Sequence, residues 1–391
     1  MAEKWILMYI YNAKIYTMSG RVLNKGWVRI EDGKIAEISD APRTFAREDY
    51  NCRGKLLYPG LIDGHTHLGI IEDGIGFEGD DSNEETDPVT PQLRALDGIN
   101  PLDDCFQEAL HAGITSVVTG PGSANTIGGQ LIAMKTAGRR VDDMLIRTVG
   151  MKFALGENPK TVYNEKNAAP VTRMATAALI REALFKARKY AQDLQDAEED
   201  SEMDPPEFDM KCEALLPLMR REVRAHFHCH RADDMFTAIR IAKEFDLDYV
   251  LIHATEGHLI ADLLGQEKAR AIVGPIICDR SKPEMKRLST VNPLFLWKND
   301  VEIALCTDHP VIPIQYLTTS AAVAVKAGLP FEEAMKSITI RAAQLAGIAD
   351  RTGSLEVGKD ADMALFSGDP LDIMTRTLMV MVNGEIQFSA K

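Results

Sequence analysis

Between residues 58 and 353 strand-like apolar runs alternate with stretches of helical period. That alternation commits the middle of the chain to a parallel sheet wrapped by helices. Ile114–Gly120 reads as a buried strand closing on a Gly/Pro-rich loop, Asp248–His253 as a second and Val301–Asp308 as a third. The last two each end on a polar residue, His253 and Asp308. A (β/α)8 barrel of the TIM type places its chemistry there, because its βα loops open at the C-terminal ends of the strands. Such a barrel takes about 250 residues, so 391 residues leave room for one satellite.

Both chain ends read as β structure. Ile6–Ile10, Trp27–Ile30 and Lys34–Ile38 are short apolar stretches broken by turn residues such as Glu31-Asp32-Gly33. Asp362–Phe366 and Leu378–Val382 repeat the pattern near the other end, followed by an Asn383-Gly384 turn. Isolated hairpins of this size are marginal. Residues 1–57 and 354–391 are therefore expected to join as one small β-sandwich domain, with 58–353 forming the barrel. A helical pattern from Met174 to Arg188 runs into the acidic, proline-ended stretch Gln195–Pro206. We read residues 191–210 as a solvated helix end and loop, with a lid as the alternative.

A net charge of −14 argues against nucleic acid and anionic membrane as partners. No apolar run approaches the ~20 residues of a membrane span, and the N-terminus lacks a signal-peptide pattern. The six cysteines include no C-x-x-C pair and read as buried thiols of a reducing compartment. The expectation is a cytoplasmic protein acting on a small molecule, with homo-oligomerisation left open.

The chemistry starts at Tyr58-Pro59-Gly60-Leu61-Ile62-Asp63-Gly64-His65-Thr66-His67. On one strand His65 and His67 point to the same side, and two neutral imidazoles there can share one metal ion. Further on, His226, His228 and His230 alternate towards the end of another strand. Three histidines so placed favour a working site over core filler. Asp308 follows six mostly apolar residues, and a carboxylate buried there needs a partner such as a metal.

The P-G-L-I-D-G-H-T-H stretch closely resembles the first-strand signature of the amidohydrolase superfamily, and the split β domain resembles it too. The stretches around Gly156–Lys160, His253–His258 and Thr307–Pro310 look most like its imidazolonepropionase-related and prolidase-like branch. The resemblance implies divalent metal, zinc first among the choices, as one or two ions. It implies as ligands His65 and His67 from strand 1, His228 from strand 5, His253 from strand 6 and Asp308 from strand 8. A bridging group comes from strand 3 or 4. Glu157 is preferred because it lies where the Val149–Pro159 segment gives way to loop; carbamylated Lys152 is the alternative and Lys135 a distant third. His226 falls deeper in the barrel and His230 nearer substrate, as a catalytic neighbour. His258, Arg231, Arg280, Lys282 and His309 are candidate substrate contacts, and the loop from Thr161 to Arg173 is expected to shape the pocket.

The reaction implied is hydrolysis of a C–N bond in an amide, dipeptide or cyclic amide. Metal-activated hydroxide attacks while Asp308 serves as general base and then acid. Imidazolonepropionase-like and Xaa-Pro dipeptidase activities are the alternatives. Deaminases of the superfamily, and imidazolonepropionase itself, carry glutamate three positions after the strand-5 histidine. Here that position is Arg231, which counts against deamination and against a literal imidazolonepropionase. A non-catalytic scaffold would lack ligands, and every histidine and aspartate position is filled.

Overall fold

A computed structural model of the chain describes residues 7–390. Residues 1–6 and Lys391, including Ile6 of the first apolar run, lie outside the described residues. Eight strands form the central sheet in the order β1 to β8, each beside its chain neighbour. They are β1 (Leu61–Thr66), β2 (Ile114–Thr119), β3 (Ile127–Lys135), β4 (Leu145–Ala154), β5 (Arg224–Cys229), β6 (Tyr249–His253), β7 (Arg270–Val273) and β8 (Glu302–Leu305). The sheet curls into a TIM-type barrel that is nearly closed. Where β8 meets β1, the Asp308 N–H donates to the His65 carbonyl (3.2 Å) and the His67 N–H to the His309 carbonyl (2.8 Å).

One strand breaks the expected parallel pattern: β3 runs antiparallel to both β2 and β4. The reason lies in the connections. Seven residues join β2 to β3 and nine join β3 to β4, whereas a parallel crossover needs about a dozen or more. The reversal carries Lys135, at the C-terminal end of β3, alongside Ser116 near the start of β2. That is the barrel's N-terminal face. The other strands are parallel to their remaining neighbours.

Alternation along the strands divides two cores. Ile62, Val118, Leu131, Ala133, Val250, Ile252, Ile272 and Ala304 pack with one another inside the ring. Phe153, Phe227, Leu251, Ala271 and Ile303 face the helices, with Ile239, Leu264, Leu296 and Leu317 among their partners. Each fully buried Val, Leu, Ile or Phe among them contributes roughly 1.5–3 kcal/mol relative to exposure, an alanine less.

A second sheet takes strands from both parts of the chain. Its order is Glu385–Ser389, Thr377–Val382, Met363–Phe366, Leu56–Pro59, Leu7–Tyr16, Val22–Glu31 and Lys34–Ser39, with Tyr50–Asn51 also pairing Leu7–Tyr16. Ile15, Val28, Ile30, Leu57, Met363, Met379 and Met381 share its core. Gly60 is the only residue between Leu56–Pro59 and β1, so the chain steps from one sheet to the other across it. A Cβ at Gly60 would fall 2.0 Å from Thr115 Oγ1, which is why this junction takes glycine.

Residues 191–199 simply continue the helix Arg173–Glu199. The Gln192–Asp196 and Gln195–Glu199 side chains pair along it, one helical turn apart. Ala191 and Leu194 pack on Cys212 and Leu216 of the helix Met210–Met219. No residue of 191–210 lines the histidine-walled cavity described below.

Candidate metal centre and active site

Asp63 fixes the first strand to the last at the catalytic end. Its carboxylate accepts from the Thr307 N–H (3.0 Å), the Thr307 hydroxyl (2.6 Å) and the His65 N–H (3.2 Å). Burial pushes its pKa up to about 7 against the lowering effect of those bonds. The resulting frame brings His65, His67 and Asp308 together. Asp308 Oδ1 stands 3.6 Å from His65 Nε2 and 3.5 Å from His67 Nε2.

His253 reaches the same hollow by an irregular route. Val250 and Ile252 face the inside of the ring and Leu251 the outside, so strict alternation would send His253 outward. A φ of 72° at His253 and 44° at Ala254 turn it inward, and Asp308 has a φ of 57°. Such conformations cost about 1–3 kcal/mol each for non-glycine residues and cluster at functional sites. The His253 ring centroid lies 5.5 Å from His65, 4.6 Å from His228 and 4.7 Å from His230.

Two of the imidazoles, His67 and His253, are held in a metal-binding form. His67 Nδ1 bonds the Gly120 carbonyl (2.7 Å) and His253 Nδ1 the Gly274 carbonyl (2.6 Å). A ring N–H given to a carbonyl leaves Nε2 with a bare lone pair, the arrangement that orients histidine ligands. Burial, reinforced by Lys152 and neighbouring rings, holds His65 well below its ordinary pKa. Burial does the same for His228 and His253, against the pull of Asp308 on the latter. Burial alone would raise Asp308, but His253, His67 and Lys152 outweigh it and keep the carboxylate ionised. Its buried Oδ1 has no hydrogen-bond partner among the described residues. Imidazole nitrogens facing an orphaned carboxylate oxygen fit a divalent cation. His65, His253 and Asp308 offer ligand atoms within 4.8 Å of one another, and so do His228, His230 and His253.

Lys152 enters from β4, paired in register with His226. Its Nζ is 3.1 Å from His65 Nε2, and burial lowers its pKa to about 8. Glu157, the preferred bridge from sequence, is not brought to this cluster. Gly156, with φ 88°, ends the approach of β4, and Glu157 begins the helix Glu157–Glu165. There its carboxylate accepts from the Glu284 N–H, and its own N–H donates to the Glu284 carboxylate. Lys135 is elsewhere altogether, paired with Asp360 and Asp362. His226 lies deep in the barrel, fully buried, with its pKa lowered to about 3 by burial and by Arg224.

A cavity of about 440 Å³ opens on the cluster. It is walled by His67, His228, His230, His253 and Asp308, and closed by Ser82, Asn83, Ser123, Pro275, Lys282 and Met285 among others. Of the candidate substrate contacts only Lys282 lines it, with Nζ donating to Asn158 Oδ1 (2.9 Å). Arg231 pairs with Asp233 at the surface, and Arg280 donates to the Leu288 carbonyl. His309 is buried with Nδ1 accepting from the Ile314 N–H, and His258 sits in a short 3-10 turn; neither lines the cavity. Thr161 and the rest of the segment to Arg173 do not line it either. The walls come instead from loops after β1, β2, β7 and β8, and the sequence reading assigned neither of the first two to the pocket. Glu284 was also missed. It is 3% exposed, with Oε1 3.8 Å from His228 Nε2 and 3.7 Å from His230 Nε2.

A TIM-type barrel with histidines and an aspartate gathered at its C-terminal mouth defines a class of barrel hydrolase. The comparisons narrow it. The amidohydrolase family model matches residues 56–387, so the chain belongs to the amidohydrolase family and is a hydrolase of carbon–nitrogen bonds. The solved structure of an amidohydrolase from Thermotoga maritima is 39% identical and superposes with a TM-score of 0.94, covering 98% of this chain and 100% of that one. The amidohydrolase tasK of Hapsidospora irregularis is 30% identical over 93% of this chain, which spans 40% of that protein's length. An imidazolonepropionase from Sphingopyxis alaskensis is 25% identical, with 96% of this chain and 94% of that protein covered.

Proposed function

We propose that the chain hydrolyses the C–N bond of a small, carboxylate-bearing amide or cyclic amide, with divalent metal, zinc by preference, at the barrel mouth. The observation that carries this reading is the orphaned, buried Asp308 oxygen facing His65 and His67 at 3.6 and 3.5 Å. His65, His67, His253 and Asp308 would hold the metal together with His228. Lys152, 3.1 Å from His65, is better placed than Glu157 to bridge as a carbamate. Bound there, the metal supplies a Lewis acid for the substrate carbonyl and acidifies water towards neutrality.

Asp308 takes the proton of the attacking water and delivers it to the departing nitrogen. Its low pKa, set against burial by His253, His67 and Lys152, keeps it ready as a base. Lys282, fixed by Asn158 on the cavity wall, meets the substrate carboxylate. The imidazolonepropionase relatives favour a cyclic amide over a dipeptide. Six unpaired cysteines suit a reducing, cytoplasmic setting. We take residues 1–57 and 354–391 as one small β-sandwich domain beside the barrel at 58–353.

The test is turnover of cyclic amides, N-acyl amino acids and dipeptides by the zinc-loaded protein, in wild type and Lys282→Ala. Hydrolysis of a carboxylate-bearing member, with KM raised about tenfold or more in the variant, is expected from the loss of a charge-assisted contact. An unchanged KM would remove Lys282 from the site. Failure on every carboxylate-bearing substrate, with turnover of neutral ones, would overturn the substrate class.

A further inference from the structure

Three side chains on the cavity wall are joined in an order that donor and acceptor chemistry fixes. Lys282 Nζ donates to Asn158 Oδ1 at 2.9 Å. An ammonium has no acceptor to offer, so the amide oxygen faces the lysine and the amide nitrogen faces away from it. That nitrogen meets Ser123 Oγ at 2.6 Å. Ser123 is the acceptor in this contact, which leaves its own hydrogen to point elsewhere. Among the described residues the hydroxyl finds no acceptor, and Lys282 finds no carboxylate.

Asn158 works from behind. Ser123 and Lys282 line both the cavity at the histidines and an adjoining hollow of about 290 Å³, whereas Asn158 lines only the hollow. Contacts of 2.6 and 3.5 Å lead from Ser123 Oγ through Asn158 Nδ2 to His228 Nε2, so the group stands beside the strand-5 histidine.

The loops that carry the two donors are pinned. Asn83 Oδ1 accepts from the Ala124 N–H at 2.9 Å, and the Ser82 carbonyl accepts from the Gly122 N–H at 2.8 Å. A Cβ at Gly122 would fall 2.5 Å from that Asn83 oxygen, so glycine is what lets the two loops approach this closely. On the other side, Glu157 and Glu284 exchange two bonds between backbone N–H and carboxylate, which hold the head of the helix Glu157–Glu165 against the β7 loop. Donors fixed before a ligand arrives lose little freedom on binding it. A hydroxyl and an ammonium on one amide, neither with an anion of its own, fit a carboxylate, which accepts from both at once.

We propose that Ser123 and Lys282 together bind the substrate's carboxylate, with Asn158 as the positioning residue that turns the hydroxyl and the ammonium towards the cavity. This rests on the reading that the substrate carries a carboxylate. It adds the loop after β2 to substrate recognition.

The probes are N-acetylglycine and its uncharged amide, N-acetylglycinamide, titrated calorimetrically into metal-free full-length protein. Neither turnover nor a metal–carboxylate bond then contributes. Wild type should bind the acid about tenfold or more tightly than the amide. Ser123→Ala and Asn158→Leu should each weaken the acid about fivefold or more and leave the amide within about twofold. A merely structural role would weaken both probes alike and would overturn the assignment. Ser123→Thr keeps the hydroxyl and should keep the preference. Loss of the preference in Lys282→Ala alone, with Ser123→Ala and Asn158→Leu unchanged, would overturn the joint site and leave the carboxylate reading standing. Wild type binding the acid no better than the amide would overturn both.

Discussion

Two lysines on adjacent barrel strands, Lys135 on β3 and Lys152 on β4, are 2% and 1% exposed, yet their surroundings are opposite. Lys135 pairs with Asp362 and, at 3.0 Å, with Asp360. Arg351 and Lys34 join Asp360, and the Thr352 hydroxyl joins Asp362. Every charge there has a partner, and the cluster bonds the N-terminal face of the barrel to the chain's C-terminal segment. Lys152 has no carboxylate in hydrogen-bonding contact among the described residues; its neighbour is His65. A satisfied buried charge holds elements together. An unsatisfied one, beside imidazoles with bare Nε2 atoms, marks where something else binds. The direction of one strand sorts the two: β3 runs backwards, so its end delivers Lys135 to the stability face rather than the catalytic one.

Mutation can break or sharpen that contrast. The largest effect expected is at the mouth. Asp308→Asn should lower kcat about 10²- to 10⁴-fold through loss of proton transfer, with at least one equivalent of metal retained and melting unchanged; steady-state kinetics with elemental analysis checks it. At the other face, Lys135→Met leaves buried Asp362 without a cation, while Asp360 keeps Arg351 and Lys34, and should cost about 3–5 kcal/mol in chemical denaturation. A cost below about 1 kcal/mol would erase the distinction between the lysines. Lys152→Met should do the converse. The metal-free protein should be no less stable than wild type, while zinc affinity falls at least about 100-fold.

The smallest effect is with acid. Burial pushes Asp360 upward, but Arg351, Lys135 and Lys34 outweigh it and hold its pKa at about 2 against an ordinary 3.8. A depressed carboxylate stabilises the fold above its unfolded pKa and loses that contribution as pH falls through its folded one. Stability should therefore decline between pH 3.8 and about 2. In Asp360→Asn that part of the decline should be absent, as followed by circular dichroism across an acid titration.

The barrel and much of its mouth were legible in the residues because both rest on local pattern. Apolar runs ending in His253 and Asp308, and alternating histidines around positions 65 and 228, follow from strand geometry alone. Glu157 was misplaced because a strand's end cannot be read to within a residue or two. The chain turns at Gly156, and Lys152, two positions inside the last strand residue, is the side chain that reaches the cluster. Glu284 left no local trace. A glutamate between Pro283 and Met285 reads as an exposed loop charge, and only the tertiary approach of the β7 loop to Gly156 buries it. The inward turn of His253 depends on positive φ values that no residue type there announces.

The central claim is that the Lys152 side of the barrel is a metal site while the Lys135 side is an internal brace. Anomalous diffraction at the zinc absorption edge, from crystals of the zinc-loaded protein, tests it most directly. The account predicts a peak about 2.0–2.2 Å from the Nε2 atoms of His65 and His67 and from an Asp308 oxygen, with none near Lys135. Empty density at the His65–His67–Asp308 hollow under saturating zinc would contradict it.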